Sequence, residues 1–344
     1  MAVVESVSDV KCLNQWSGDL WRLYNGDCCE IAAGLPDNSL DFCIHSPPFS
    51  SLYIYSDSEC DMGNSKGDAE FFNHYGFLIP ELLRVTVPGR LCAVHCKDLP
   101  KYRNRDEASG LTDFPGLIIR AFEECGRDTG GCFWAYHSRV TIWKCPVTER
   151  ERTNNNGLLH KTVLRDRSQV RQGMADYLLL FRKTKPGDES NLSDKPINEK
   201  NGFAYYVGDG DNDPRVTNDH PSKYARKAKS SMMTSVRIWQ RYAEPVWWDI
   251  DQTDVLNYRP ARGVNDERHI CPLQLGVIER SVQIWTLPDE VVLSPFAGIG
   301  SEGVGAIRQG RRFVGIELKP EYCEWAKSNL AAAEESALAK RLFA

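Results

Sequence analysis

No stretch of this chain approaches the roughly 18 to 20 uninterrupted apolar residues needed to cross a bilayer, and the opening MAVVESVSDV holds neither a basic leader nor an apolar signal segment. A membrane protein or an exported one is not expected; a cytoplasmic one is. None of the 12 cysteines forms a Cys-x-x-Cys pair, and no second half of a zinc pattern accompanies His74 or His95. The cysteines read as reduced thiols, several of them, such as Cys43 and Cys92, inside strand-like runs where a small apolar residue packs well. No metal site is expected. A surplus of positive charge is missing too: 42 Lys and Arg stand against 47 Asp and Glu, for a net charge of −5. Contact with nucleic acid would have to come from a locally basic surface. Internal repeats and low-complexity tracts are absent as well.

What is present is the material of an ordinary globular protein. The 344 residues are 42% hydrophobic and 26% charged, enough for one large domain or two smaller ones. Strand-like runs at 21–24, 40–44, 90–95, 139–143, 177–182, 291–293 and 313–316 alternate with helical ones at 71–84, 114–125, 273–285, 302–309 and 321–333. That alternation predicts an α/β fold with a seven-stranded mixed sheet and helices on its faces. From Lys183 to about Pro221 the chain is rich in Pro, Gly, Asn, Asp and Ser and reads as linker and loop. The stretch that follows, to about Asp266, is basic and aromatic without clear alternation, and reads as an insert or a small separate domain.

Two motifs carry chemistry. In VVLSPFAGIGSEG an apolar strand ends in a turn with Gly298, Gly300 and Gly303 spaced G-x-G-x-x-G, and a helix begins there. Glycines permit a sharp turn and close approach to a ligand, and the helix start offers amide donors. Glu317 ends the next strand, where a carboxylate can accept both hydroxyls of a ribose. Strand, glycine turn, helix, strand and terminal acid together predict an adenosine-containing cofactor. The alternative is that the glycines only permit tight helix–sheet contact. A dinucleotide fold normally places such a loop near the start of its domain; here it comes after most of the sheet.

The second motif is LDFCIHSPPF, a strand that delivers Ser46, Pro47, Pro48 and Phe49 to the carboxyl edge of the sheet, where open α/β sheets bind ligands. Consecutive prolines make a rigid, extended turn. An aromatic amino group is a poor nucleophile because its lone pair is delocalised, so it must be held by acceptors that favour a pyramidal nitrogen. The Ser46 hydroxyl and the Pro47 carbonyl can act as those acceptors, and Phe49 can stack on the ring. Such catalysis works by positioning and charge stabilisation, without a covalent intermediate. His45, next door, is read as a structural histidine, since strand alternation points it to the opposite side.

SPPF, FAGIGS and GIEL together resemble the amino-methylating DNA methyltransferases, and their order, with SPPF before the glycine loop, resembles the permuted arrangement called the beta class. The resemblance covers nearly the whole chain. It is especially close to stand-alone enzymes of phages and prophages through YAEPVWWDI and HICPLQL. It implies an S-adenosylmethionine-dependent methyltransferase of Rossmann-like fold, circularly permuted, with an inserted DNA-recognition region, acting on double-stranded DNA inside a bacterial cell. The target would be a flipped-out cytosine (N4) or adenine (N6). Ser46 and Phe49 lean toward cytosine. The implied cofactor contacts are Asp27, His269, Pro272, Ser294, Phe296, Gly298, Gly300, Ser301 and Glu317, although Ser294 stands where the family usually has an acid. The implied division is a tail over 1–18, a catalytic half over 19–182, a linker and target-recognition region over 183–266, a cofactor half over 267–334 and a tail over 335–344.

By this resemblance the basic segment from His220 to Ala243 contacts DNA, with Lys223, Arg226, Lys227 and Lys229 on phosphates and Arg237, Trp239 and Arg241 as candidates for base edges or the gap left by flipping. Alone, the segment would read as a solvated face with some core aromatics. Three other readings stay open: methylation of RNA or a protein amide, a nucleotide-dependent oxidoreductase, and a catalytically inactive DNA-binding relative.

Overall fold

The computed structural model describes residues 12–50, 58, 60–101, 108–153, 155–187, 238–257 and 272–343. Its strands are β1 (Asn14–Ser17), β2 (Trp21–Asn25), β3 (Leu40–His45), β4 (Thr86–Lys97), β5 (Leu99–Lys101), β6 (Gly110–Thr112), β7 (Phe133–Ile142), β8 (Asp176–Thr184), β9 (Val246–Trp247), β10 (Val291–Ser294) and β11 (Arg312–Glu317). The helices are α1 (Cys28–Ala33), α2 (Asp68–Val85), α3 (Phe114–Glu124), α4 (Pro146–Thr153), α5 (His160–Arg165), α6 (Leu275–Trp285), α7 (Ser301–Arg308) and α8 (Pro320–Phe343).

Nine strands form one sheet in the order β1-β2-β11-β10-β3-β4-β8-β7-β9, while β5 and β6 make a small hairpin apart from it. All seven expected strands are there. The two additions lie at the edges, and both are too short or too polar to show the alternation by which strands are recognised. β1, Asn-Gln-Trp-Ser, pairs antiparallel with β2 inside the stretch expected as a tail. β9, only two residues long, pairs parallel with β7 inside the stretch expected as a separate insert. The other expected tail is no tail either: α8 runs on through the 335–343 stretch.

From β2 to β4 the sheet is parallel, and β8 and β7 then reverse direction in turn. Parallel strands covered on both faces should be apolar throughout, and β3 is buried at all six positions. Alternate residues serve opposite faces. On one face Cys43, Val94, Phe181 and Leu293 meet Phe71, Tyr75 and Leu82 of α2 and Phe114, Ile118 and Phe122 of α3. On the other, Phe42, Ala93, Leu180, Val292 and Phe313 meet Ile278 of α6, Val304 and Ile307 of α7 and Leu330 of α8. Each fully buried Phe, Leu, Ile or Val contributes roughly 1.5–3 kcal/mol, so these two layers hold the sheet firmly beneath its loops. Among the described residues no helix is long and apolar enough to cross a membrane.

The strand directions bring seven chain segments to a single edge. Gly26 and Asp27 follow β2, Pro295 to Ser301 follow β10, and Glu317 ends β11. Ser46 to Phe49 follow β3, His95 to Lys97 close β4, Asp176 opens β8, and Lys144 lies just beyond β7.

Candidate active site

A cavity of about 280 Å³ opens along this edge, and both sequence motifs line it. One wall is the glycine loop. Gly298 (φ 52°) and Gly300 (φ 90°) take left-handed conformations that side-chain-bearing residues rarely adopt. They turn the chain sharply enough for α7 to start at Ser301, with no side chain capping its first amides. Gly303 does a different job: a Cβ there would come within 2.3 Å of Leu330 and 2.5 Å of Phe313, so it serves close helix packing. The glycines thus do two structural jobs, a sharp turn at Gly298 and Gly300 and close helix packing at Gly303.

The Glu317 carboxylate accepts from the Gly298 amide at 2.8 Å and from the Lys319 amide at 2.8 Å, which ties the end of β11 to the turn. Burial pushes its pKa up to about 7 in spite of those amides. Glu302, on the first turn of α7, is also buried and lines the cavity; burial, with Glu317 nearby, pushes it up to about 8. Asp27 caps α1 by accepting from the amides of Cys29 and Glu30, which fixes it at the cavity's lip.

Of the predicted cofactor contacts, Asp27, Pro272, Phe296, Gly298, Ser301 and Glu317 line the cavity. Ser294 and Gly300 do not. Ser294, the last residue of β10, is fully buried and its hydroxyl has no hydrogen-bond partner, so the lining begins one residue later, at Pro295. Gly300 packs its backbone against Ala326 instead. His269 lies outside the described residues.

The other wall is the proline turn. Ser46, Pro47, Pro48 and Phe49 all line the cavity, with Phe49 edge-on to Phe114 at 6.2 Å. His45 faces away, as alternation requires. Its Nε2 lies 2.8 Å from the Tyr75 hydroxyl and its Nδ1 3.4 Å from Cys43 Sγ, all buried. Together with Cys92 these groups make a buried Cys–His–Cys trio, in which burial pushes the Cys43 thiol well above its ordinary value.

Sequence reasoning passed over the residues behind Ser46. The β3–β4 register sets His45 beside Val94, so the next pair along is Ser46 and His95. Ser46 Oγ lies 2.8 Å from His95 Nδ1. His95 Nε2 reaches Asp176 Oδ2 at 3.1 Å, and Lys144 Nζ reaches that same oxygen at 2.7 Å. Burial alone would raise the Asp176 carboxyl, but His95 and Lys144 outweigh it and hold the group well below the usual carboxylate range. Asp176 is thus an acceptor, which favours a proton on the His95 nitrogen that faces it, Nε2, and lets Nδ1 accept from the Ser46 hydroxyl. The signal that could have found His95 is its place at the carboxyl end of the strand expected next in the sheet; Asp176 and Lys144 gave no such signal, being separate polar residues at the ends of distant strands.

Ser–His–Asp also occurs in acyl-transfer enzymes, where the amide following the nucleophile helps form the oxyanion hole. Here that position is Pro47, which has no N–H. The cluster is therefore suited to holding a hydrogen-bond donor and taking its proton, not to attack on a carbonyl.

Lys223, Arg226, Lys227, Lys229 and Arg237 lie outside the described residues. Beyond them, a helical turn at 238–242 buries Ile238 and Tyr242 and leaves Trp239 54% exposed. Arg241 does not point to solvent: it pairs with Asp249, which Arg280 also holds through two bonds of 3.0 Å. Its expected place at a base edge gives way to a structural one, because Asp249 is a half-buried acid that needs both cations. Trp143 and Trp248, on and beside the β7–β9 edge, are also exposed.

The DNA methylase family, of N6 and N4 amino-methyltransferases, matches residues 40–328, and the chain belongs to it. Among curated relatives, the type II methyltransferase M.ScaI of Streptomyces caespitosus is 30% identical over 153 residues, 44% of this chain and 48% of that one. M2.DpnII of Streptococcus pneumoniae is 26% identical over 135 residues, 32% of this chain and 50% of that one. The chain thus spans half or less of the length of these relatives. Among solved structures, a DNA modification methylase of Thermus thermophilus, TTHA0409, complexed with S-adenosyl-L-methionine, superposes with a TM-score of 0.58 at 19% identity, covering 91% of this chain and 95% of that one. The cytosine-N4-specific PvuII DNA methyltransferase superposes with a TM-score of 0.55 at 14% identity, covering 94% of each. These likenesses show that the two share the α/β fold with this chain.

Proposed function

We propose that the protein transfers a methyl group from S-adenosylmethionine to the exocyclic amino group of a cytosine (N4) or adenine (N6) flipped out of double-stranded DNA. The observation that carries this reading is the meeting of the proline turn and the glycine loop in one cavity. The donor set there fits the cofactor. Glu317 would offer carboxylate oxygens to a ribose, Asp27 and Phe296 would hold an adenine, and Pro272 with Gly298 and Ser301 would hold the amino-acid end. The Gln274 Oε1 atom is buried at the same cavity with no hydrogen-bond partner, an acceptor waiting for a donor. When bound, the cofactor supplies an electrophilic methyl group on a sulfonium centre.

The chain's own residues do the rest. Ser46 Oγ, donating its hydrogen bond to His95, keeps lone pairs for one amino hydrogen, and the Pro47 carbonyl takes the other. Phe49 covers the ring, and the proline turn holds all three without a shift at the moment of reaction. The cavity is recessed at the sheet edge, so a base must leave the duplex to reach it. Ser46 and Phe49 favour cytosine. The insert over 183–266, including Lys223, Arg226, Lys227, Lys229 and Arg237, reads the DNA, with Trp239 at its exposed end, between a catalytic half over 19–182 and a cofactor half over 267–334 in permuted order.

The test is to incubate the purified protein with S-adenosylmethionine and unmethylated duplex DNA, digest to nucleosides and identify the methylated species by mass spectrometry, with Ser46→Ala as control. N4-methylcytosine or N6-methyladenine that disappears in the variant is the expected result. Label on RNA or protein, or on nothing, overturns it.

A further inference from the structure

We propose that His95 and Asp176 form a proton relay behind Ser46, with His95 taking the proton that the target amine must shed, and that Lys144 sets how strongly the relay holds it. The inference rests on the methyltransferase reading and deepens it. As the amine nitrogen forms its bond to the methyl carbon and the carbon–sulfur bond breaks, the nitrogen gains a positive charge and holds one proton too many. That proton passes to Ser46 Oγ as the Ser46 hydroxyl proton passes to His95 Nδ1. One N–H bond breaks, one forms, and Ser46 ends as it began. The imidazolium then stands between Ser46 and the Asp176 carboxylate. Solvent receives the proton once product leaves, which resets the site.

Geometry supports each link. The contacts of 2.8 and 3.1 Å run unbroken from Ser46 through His95 to the buried Asp176 carboxylate, which Lys144 meets at 2.7 Å. The tautomer is the one a relay needs, since Asp176 favours the proton on Nε2 and Nδ1 is left open. In the relay His95 acts through Ser46 and Asp176 through His95, so both are positioning residues. Besides Asp176 on β8 and Lys144 beyond β7, Glu149 on α4 and Lys97 on β4 line the same cavity, and Lys97, Arg171 and Asp176 all act on Glu149. Lys144 shares the Asp176 oxygen that faces His95, so it weakens the hold of Asp176 on an imidazolium. A purely structural His95 would need neither an open Nδ1 nor a cation opposing its protonation.

The experiment follows single-turnover methyl transfer from tritiated S-adenosylmethionine to duplex DNA from pH 5.5 to 9, for the wild type, H95Q, D176N and K144M. Alongside it, 15N spectra of histidine-labelled free protein, with the His95 signals assigned by their loss in H95Q, report the tautomer. The expected wild-type rate climbs with pH to a plateau. H95Q loses about 100-fold in plateau rate and the climb with it. K144M moves the climb to higher pH, because an imidazolium held by Asp176 alone is more stable. D176N moves it to lower pH and disturbs the Nε2–H tautomer in the spectrum. If the wild type methylates DNA and H95Q keeps both rate and pH profile, or if His95 carries its neutral-state proton on Nδ1, the relay is wrong and the methyltransferase reading stands. If the wild type methylates no DNA, both fall.

Discussion

The two walls of the cavity are built in opposite ways. The glycine-loop wall comes from one continuous run, Ser294 to Glu317, in which backbone conformation does most of the work: two left-handed glycines, an uncapped helix start and a carboxylate pinned by main-chain amides. The proline-turn wall gathers Ser46, His95, Lys144 and Asp176 from four different strand ends, and side chains do the work there. A wall made of local backbone should tolerate changes in side chains and fail on changes in shape. A wall made of distant side chains should do the reverse.

The strongest test of this contrast is Ser46→Ala. It removes an acceptor and the first link of the relay while leaving the turn in place, so methyl transfer should fall about 100- to 1,000-fold with S-adenosylmethionine affinity unchanged by calorimetry. An equal loss of affinity would mean that the walls are not separable. Next comes Gly303→Val on the other wall. Its side chain has no room between Leu330 and Phe313, so stability should drop by ~1–3 kcal/mol in urea unfolding, and activity should decline only as the folded fraction does.

A subtler difference concerns charge. Glu302 is raised to about 8 by burial, so between its unfolded value near 4.5 and that folded value it holds a proton that the unfolded chain has released. Its contribution to stability is therefore present below pH 4.5 and lost as pH rises through 8. Glu302→Gln should unfold at a higher temperature than the wild type at pH 8, by about 4 kcal/mol of stability, and match it at pH 4. The smallest effects are expected at the far end of the insert. Trp239→Ala should weaken binding to a duplex oligonucleotide by a few fold without moving the melting temperature, on the order of 1 kcal/mol or less. Arg241→Met should do the opposite, lowering stability by about 1 kcal/mol through Asp249 and leaving DNA affinity alone.

The same contrast explains what could be read from sequence. Gly298, Gly300 and Glu317 were legible because a local conformation demands particular residues at fixed spacing, and Ser46 to Phe49 because two prolines ending an apolar strand are hard to explain otherwise. The seven inner strands showed themselves by apolar runs. The relay did not: His95, Lys144 and Asp176 meet only once β4, β7 and β8 lie side by side, and no spacing in the chain records that. Arg241 misled for a related reason. A basic residue in a basic segment looks like a contact for DNA until Asp249, eight positions on, is seen to hold it.

The parallel pairing of Val246–Trp247 with β7 has a consequence for how such a protein can change over time. The chain leaves the sheet at the end of β8 and rejoins it two strand positions further out, so the excursion between is fastened at both ends to the most rigid part of the molecule. Closing a longer excursion costs little, about 0.6 kcal/mol for each doubling of its length. Descendants could therefore exchange or enlarge that cassette wholesale while the groups seated on the inner strands are inherited intact.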